Sequence, residues 1–196
     1  MGAVFKKKIR QPKQKRLPKA YSDTHVRNLL SRLRNPVYKV CSSLIYACGL
    51  RAGEATTLEI GSIDGLNRTL RIIGKGNRER IVPVPRPVLE GLRKLWKTHK
   101  NPRWLFPIQS GNGPIGRGAL GRALAIAARE SGITGCTLHA LRHSYATRLT
   151  ERNVNLAVIK ILLGHGSIKT TTIYTHLTEP TRASLTALLD EMMIGL

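Results

Sequence analysis

With 196 residues, 41% of them apolar, the chain is long enough to bury one sizeable core and reads as a single domain with at most a short extension. Its 33 Lys and Arg stand against 11 Asp and Glu, a formal charge of +22 that repels itself unless a polyanion lies against it, so nucleic acid is the expected partner. Aromatics at 5% exclude base stacking as the main mode of binding, and the three cysteines, Cys41, Cys48 and Cys136, form no CxxC pair, which excludes a secreted disulfide framework. No window is apolar enough to span a membrane and no signal-type core follows the basic N-terminus, so a soluble cytoplasmic protein that grips phosphates is expected.

Residues 1–19, MGAVFKKKIRQPKQKRLPK, are rich in Lys and Arg without apolar periodicity and read as a basic arm or linker. The folded domain, 20–196, opens at Ser22, a candidate N-cap followed by Val26, Leu29, Leu30 and Leu33 at helical spacing up to the Asn35-Pro36 break. A second helix runs from Val37 to Cys48 and stops at Gly49, a candidate left-handed cap, with Arg51 just beyond. The period then falls to two. Leu70–Ile73 and Arg80–Val84 flank the turn Gly74-Lys75-Gly76-Asn77 and predict an antiparallel hairpin, with a third short strand before it and Pro83 and Pro85 confining the last run to an edge strand or a strand end. Helices follow over Val88–Trp96 and Leu120–Ser131, separated by a short buried connection at Trp104–Pro107 and a loop at Gly111–Gly116. Two more span Leu138–Glu151 and Leu156–Leu163, the second ended by Gly164, and Ser167 is a candidate cap for a segment carrying Tyr174. A last helix, 180–196, opens at Pro180 with the stripe Leu185, Leu188, Leu189, Met192 and Met193. The fold class is therefore mainly α with a small antiparallel β-sheet.

Between Thr137 and Tyr174 lie three histidines and three arginines, and helical spacing puts His139, Arg142 and His143 on or near one face. Cys136, His139, His143 and His165 have a spacing that zinc could use, but Arg142 between the histidines would repel a second cation and no cysteine pair supports it, so no metal is expected. A phosphate suits the cluster better. Arg51 and Arg142 offer planar forks for phosphate oxygens, Lys75 a mobile ammonium that can give up a proton, and His139 and His165 hydrogen bonds or proton transfer near neutral pH. A tyrosine ionises near pH ~10, so Tyr174 attacks a phosphate only when cations and a base assist it.

Five motifs in order, Gly49-Leu50-Arg51-Ala52-Gly53-Glu54, Gly74-Lys75-Gly76-Asn77-Arg78, His139-Ala140-Leu141-Arg142-His143, Leu163-Gly164-His165 and Thr171-Thr172-Ile173-Tyr174-Thr175-His176, resemble the catalytic motifs of tyrosine site-specific recombinases, the phage integrases and Xer-type recombinases. The resemblance covers Leu17 to Leu196. It implies the tyrosine recombinase catalytic-domain fold and cleavage and rejoining of double-stranded DNA through a 3′-phosphotyrosine link to Tyr174, with no cofactor, metal or ATP. Arg51 and Arg142 would neutralise the transition state, His139 and His165 would hydrogen-bond the phosphate or assist proton transfer, and Lys75 would protonate the leaving 5′-oxygen. Glu54 would support the site, and His143 is expected to be structural. The resemblance further implies a homo-oligomer, a tetramer on DNA, joined through the C-terminal helix, and a place on the nucleoid.

Thr56 departs from the family pattern, which has a bulkier apolar residue there. The basic arm stands where most members carry a helical core-binding domain, so the chain is expected to be either a catalytic-domain fragment or a short member like the fimbrial-switch invertases. A type IB topoisomerase shares much of this chemistry, and a non-enzymatic basic DNA-binding protein would share the charge alone.

Overall fold

One helix organises the chain. In the computed structural model, which describes residues 20–74, 79–164 and 179–194 (the backbone alone at 179–180), α2 (Pro36–Cys48) packs against five other helices. These are α1 (Asp23–Ser31), α3 (Ala52–Thr56), α4 (Arg86–His99), α5 (Arg117–Glu130) and α6 (Leu138–Glu151). Its position follows from its sequence, because Cys41, Ser42 and Leu44 through Cys48 are all buried, an apolar surface nearly all the way round that only a central helix can satisfy. Its C-terminal end is built as the sequence predicts, while its N-terminal end starts one residue earlier, at Pro36, with Asn35 as the cap. Asn35 Oδ1 accepts from the Val37 and Tyr38 amides with Pro36 in the first turn, and Gly49 closes the helix at φ 62°.

The sheet has three antiparallel strands in the order β1 (Ile63–Asp64), β2 (Thr69–Ile73), β3 (Glu79–Pro83), with β3 at an edge as its prolines require. Leu70 pairs with Val82 and Ile72 with Arg80, and all four side chains are buried. The strand before the hairpin is only two residues long, preceded by a 3-10 turn at Ile60–Ser62. Leu105 and Phe106 form the buried connection, pinned by hydrogen bonds from Leu105 N to Leu58 O (3.0 Å) and from Ile60 N to Arg103 O (2.8 Å).

Helices α4 and α5 begin two to three residues earlier than apolar periodicity predicts, at Arg86 and Arg117, because neither Pro85 nor Gly116 offers a side-chain cap to mark the start. Helix α3, absent from the sequence reading, is five residues long and too short to show a period. Helix α7 (Leu156–Leu163) is capped by Asn155 and closed by Gly164 at φ 66°. The last helix, α8 (Glu179–Met192), buries Leu185, Leu189, Met192 and the following Met193 in the same chain. It is tied there by Arg68 and the Arg86 amide on Asp190 and by Arg148 on the Met192 carbonyl. The cysteines are free and buried, and burial pushes the thiols of Cys41 and Cys48 up and that of Cys136 up to about 11. No helix of the described residues is long and apolar enough to cross a membrane. Residues 1–19, read as a basic arm, residues 75–78 of the predicted turn, and residues 165–178 with the candidate cap Ser167 lie outside the described residues.

Candidate active site

Helix α2 ends at Gly49, and the chain turns through buried Leu50 to Arg51, the N-cap of α3. One turn on, Glu54 reaches back. Its Oε2 accepts from the Arg51 amide at 2.7 Å and its Oε1 from Arg51 Nη1 at 2.8 Å, so one carboxylate satisfies the N-cap amide and pairs with the N-cap guanidinium. The same carboxylate takes a bidentate fork from Arg80 on β3, Nη1 to Oε1 at 3.0 Å and Nη2 to Oε2 at 2.6 Å, and lies 3.9 Å from Arg142 Nη1.

The three arginines share a second set of acceptors, the last carbonyls of α7. Arg80 Nε donates to Leu162 O (3.0 Å), Arg142 Nη2 to Leu163 O (2.5 Å) and Arg51 Nη2 to Gly164 O (3.2 Å). A helix C-terminus leaves such carbonyls unsatisfied and carries the negative end of the dipole, so it is a natural seat for cations. Arg142 Nη1 also donates to Gly49 O at 2.8 Å, which ties the end of α2 to the same point.

Burial grades the cluster. The side chains of Arg80, Arg142 and Glu54 are 3%, 5% and 9% exposed, while that of Arg51 is 47% exposed. Burial alone would raise the Glu54 pKa, but the hydrogen bonds and charge of Arg80 and the two bonds from Arg51 hold it down to about 2. Burial, reinforced by the charge of Arg51, lowers Arg142 to about 10, so it stays protonated at neutral pH. Among the described residues three guanidiniums gather around one carboxylate, an excess of positive charge suited to a phosphate.

Of the six residues predicted from sequence, Arg51 and Arg142 come together at Glu54 and the end of α7. His139 stands exposed in the first turn of α6, one turn ahead of Arg142, and His143 is half-buried. The expected common face is thus split. Arg142 is turned inward by Gly49 O and Leu163 O, whereas His139 faces solvent. Lys75, His165 and Tyr174 lie outside the described residues. Sequence reasoning missed Arg80. Its register with Val82 on a period-two strand places it on the inward face, and a charge there signals a buried partner.

The model of the phage integrase family matches residues 22–180. Among curated relatives, the tyrosine recombinase XerC of Histophilus somni is 36% identical over 179 residues, covering 86% of this chain and 60% of its own length. The tyrosine recombinase XerD of Proteus mirabilis is 34% identical over 197 residues, covering 88% and 63%. Among solved structures, the integrase from mycobacterium phage Brujita superposes with a TM-score of 0.76 at 26% identity, over 94% of this chain and 61% of that one. The XerH site-specific recombinase, in a pre-cleavage complex with its difH substrate, shares the fold, with a TM-score of 0.69 at 24% identity over 92% and 57%. The chain spans about three-fifths of the length of these two curated relatives. With its helical body, three-stranded sheet and paired arginines, the chain belongs to the phage integrase family, as a tyrosine recombinase catalytic domain.

Proposed function

We propose that this chain is the strand-transferring unit of a site-specific DNA recombinase, with residues 20–196 forming the catalytic domain and residues 1–19 a basic arm that lies on phosphates. The observation that carries the reading is the convergence of Arg51 and Arg142 on Glu54 and on the carbonyls of Leu163 and Gly164, the residues just ahead of His165. Family membership supplies the reaction class.

On this reading a scissile phosphate sits against Arg51 and Arg142, whose fixed charges stabilise the extra negative charge of the pentavalent transition state. The Tyr174 oxygen attacks phosphorus and loses its proton with the help of His139 or His165. The bond from phosphorus to the 5′-oxygen breaks, and that oxygen takes a proton from Lys75. A 3′-phosphotyrosyl ester and a free 5′-hydroxyl result. One phosphoester replaces another, so the bond energy is kept for rejoining and ATP has no part in the balance. Attack by the 5′-hydroxyl of a different strand then releases Tyr174 and completes an exchange. A homo-oligomer on DNA, joined by the C-terminal helix and working in the cytoplasm at the nucleoid, would bring the strands together.

The test is a nicked suicide duplex whose site is selected from a randomised library by binding to this chain. The wild type should form a detergent-stable covalent adduct and Tyr174→Phe none. No adduct from the wild type, or an equal adduct from the variant, refutes the proposal.

A further inference from the structure

Arg80 lies on an edge strand, reaches no surface and was assigned no role by sequence, yet it touches both halves of the arginine cluster. Its side chain is 3% exposed, its two Nη atoms bind both oxygens of Glu54, and its Nε holds the Leu162 carbonyl. Gly164 is fitted against it, since a Cβ there would lie 3.2 Å from both Cδ and Nη1 of Arg80. Every acceptor it uses also neighbours a hydrogen bond made by Arg51 or Arg142.

We propose that Arg80 is a positioning residue for the phosphate site, an internal counter-cation that shares Glu54 with Arg51 and so keeps the carboxylate from drawing Arg142 onto it and Arg51 away from DNA. This deepens the recombinase reading and rests on it. A carboxylate needs cationic partners when only 9% of its side chain reaches solvent. With Arg80 present, each Glu54 oxygen already has a guanidinium donor at 3.0 Å or less, and Arg142 stands off at 3.9 Å. Without it, the carboxylate would draw Arg142 in and hold Arg51 harder, and a phosphate would then compete with Glu54 for both forks. Arg80 also holds the α7 carbonyl two residues ahead of Gly164, beside the carbonyls that Arg142 and Arg51 use.

The experiment is a double-mutant cycle on the nicked duplex defined above, with Arg80→Met, Glu54→Gln and the pair. Adduct formation is followed at saturating DNA, duplex affinity is measured by titration and folding by thermal unfolding. Arg80→Met should slow cleavage at saturation by at least tenfold and change duplex affinity by less than threefold, because Arg80 reaches no DNA. In the Glu54→Gln background the same change should cost less than threefold, since no carboxylate is left to trap the other arginines. A purely structural role predicts equal losses in both backgrounds and would overturn the assignment, as would an Arg80→Met protein that cleaves within twofold of wild type. If Arg80→Met alone unfolds, Arg80→Lys replaces it, keeping the charge but losing the fork. It should fall between wild type and the tenfold loss, again with rescue by Glu54→Gln, and absence of rescue overturns the assignment. A wild type that forms no adduct overturns the recombinase reading and this assignment with it, whereas a competent wild type beside an equally competent variant overturns this assignment alone.

Discussion

Gly49→Ala offers the most direct test of how α2 feeds the arginine cluster. Gly49 sits at φ 62°, and a Cβ built there would meet Tyr145 Cδ1 at 2.4 Å, Cε1 at 2.7 Å and Leu163 Cδ2 at 3.0 Å. The ring cannot yield easily, because Tyr145 is fully buried on α6. Left-handed backbone costs a non-glycine residue about 1–2 kcal/mol, and forcing side chains apart in a packed core adds about 1–3, so the substitution should destabilise by about 2–5 kcal/mol. Gly91→Ala is the control, since its Cβ meets nothing within 4 Å on α4 and helix propensity predicts a gain of about 0.5–1 kcal/mol. Urea denaturation at pH 7, read at unchanged m-value, measures both. Because Gly49 O accepts from Arg142, the variant should also lose cleavage rate at saturating duplex more than duplex affinity. A destabilisation below about 1 kcal/mol would mean that the backbone strain and the Tyr145 contact are both misjudged.

Two further outcomes follow from buried charge. The Glu54 pKa is lowered on folding, from the 4.5 of an ordinary glutamate to about 2, so its contribution is complete above pH ~5 and lost as pH falls toward 2. The shift corresponds to about 3 kcal/mol, of which about 2 should be gone at pH 3. The stability gap between wild type and Glu54→Gln in urea should therefore shrink by that amount between pH 7 and pH 3, and a pH-independent gap would contradict the ion pairing. Arg148, 6% exposed, donates to Tyr46 Oη at 2.6 Å, to the Asp23 carboxylate and to Met192 O at 2.9 Å, fastening α8 to α1 and α2. Arg148→Met should cost about 2–3 kcal/mol, less than for a fully buried pair because Asp23 keeps 32% of its side chain in water. It should also speed protease cleavage within 179–194, and cleavage at the wild-type rate would show that this contact does not secure the helix.

What the sequence made legible is what local chemistry controls. Asn35-Pro36 and Gly49 bound α2, the Gly-rich turn and alternating apolar residues mark the hairpin, and Pro83 keeps β3 at an edge. Arg51 and Arg142 were legible as site residues only through five motifs in order, since either alone reads as a surface cation. The tertiary details were not legible. Helix α3 has five residues, AGEAT, and exists because Arg51 and Glu54 close its first turn. Arg142 and His139 diverge because the long guanidinium side chain reaches two carbonyls on other elements, which no helical wheel encodes. The seat of the C-terminal stripe on its own chain was not legible either, because Asp190 and Arg148 hold it through partners distant in sequence.

These contacts also explain how a chain of charge +22 buries two arginines beside a third. Each buried guanidinium must recover the solvation it gives up, and mutual repulsion adds to the cost. Glu54 supplies a full negative charge, and the end of α7 supplies three carbonyls already aligned by the helix, at no conformational expense to the arginines' partners. Arg51, the one with half its side chain in water, pairs with Glu54 and with Gly164 O, the last of the three carbonyls. On the proposed reaction a phosphate therefore meets Arg51 first, and Arg142 only at the floor of the cluster. Burial first, and the charge of Arg51 second, disfavour the protonated form of Arg142, and the negative charge of an arriving phosphate offsets both. The gain is larger where the anion carries more charge, which favours the pentavalent transition state over the ground-state diester.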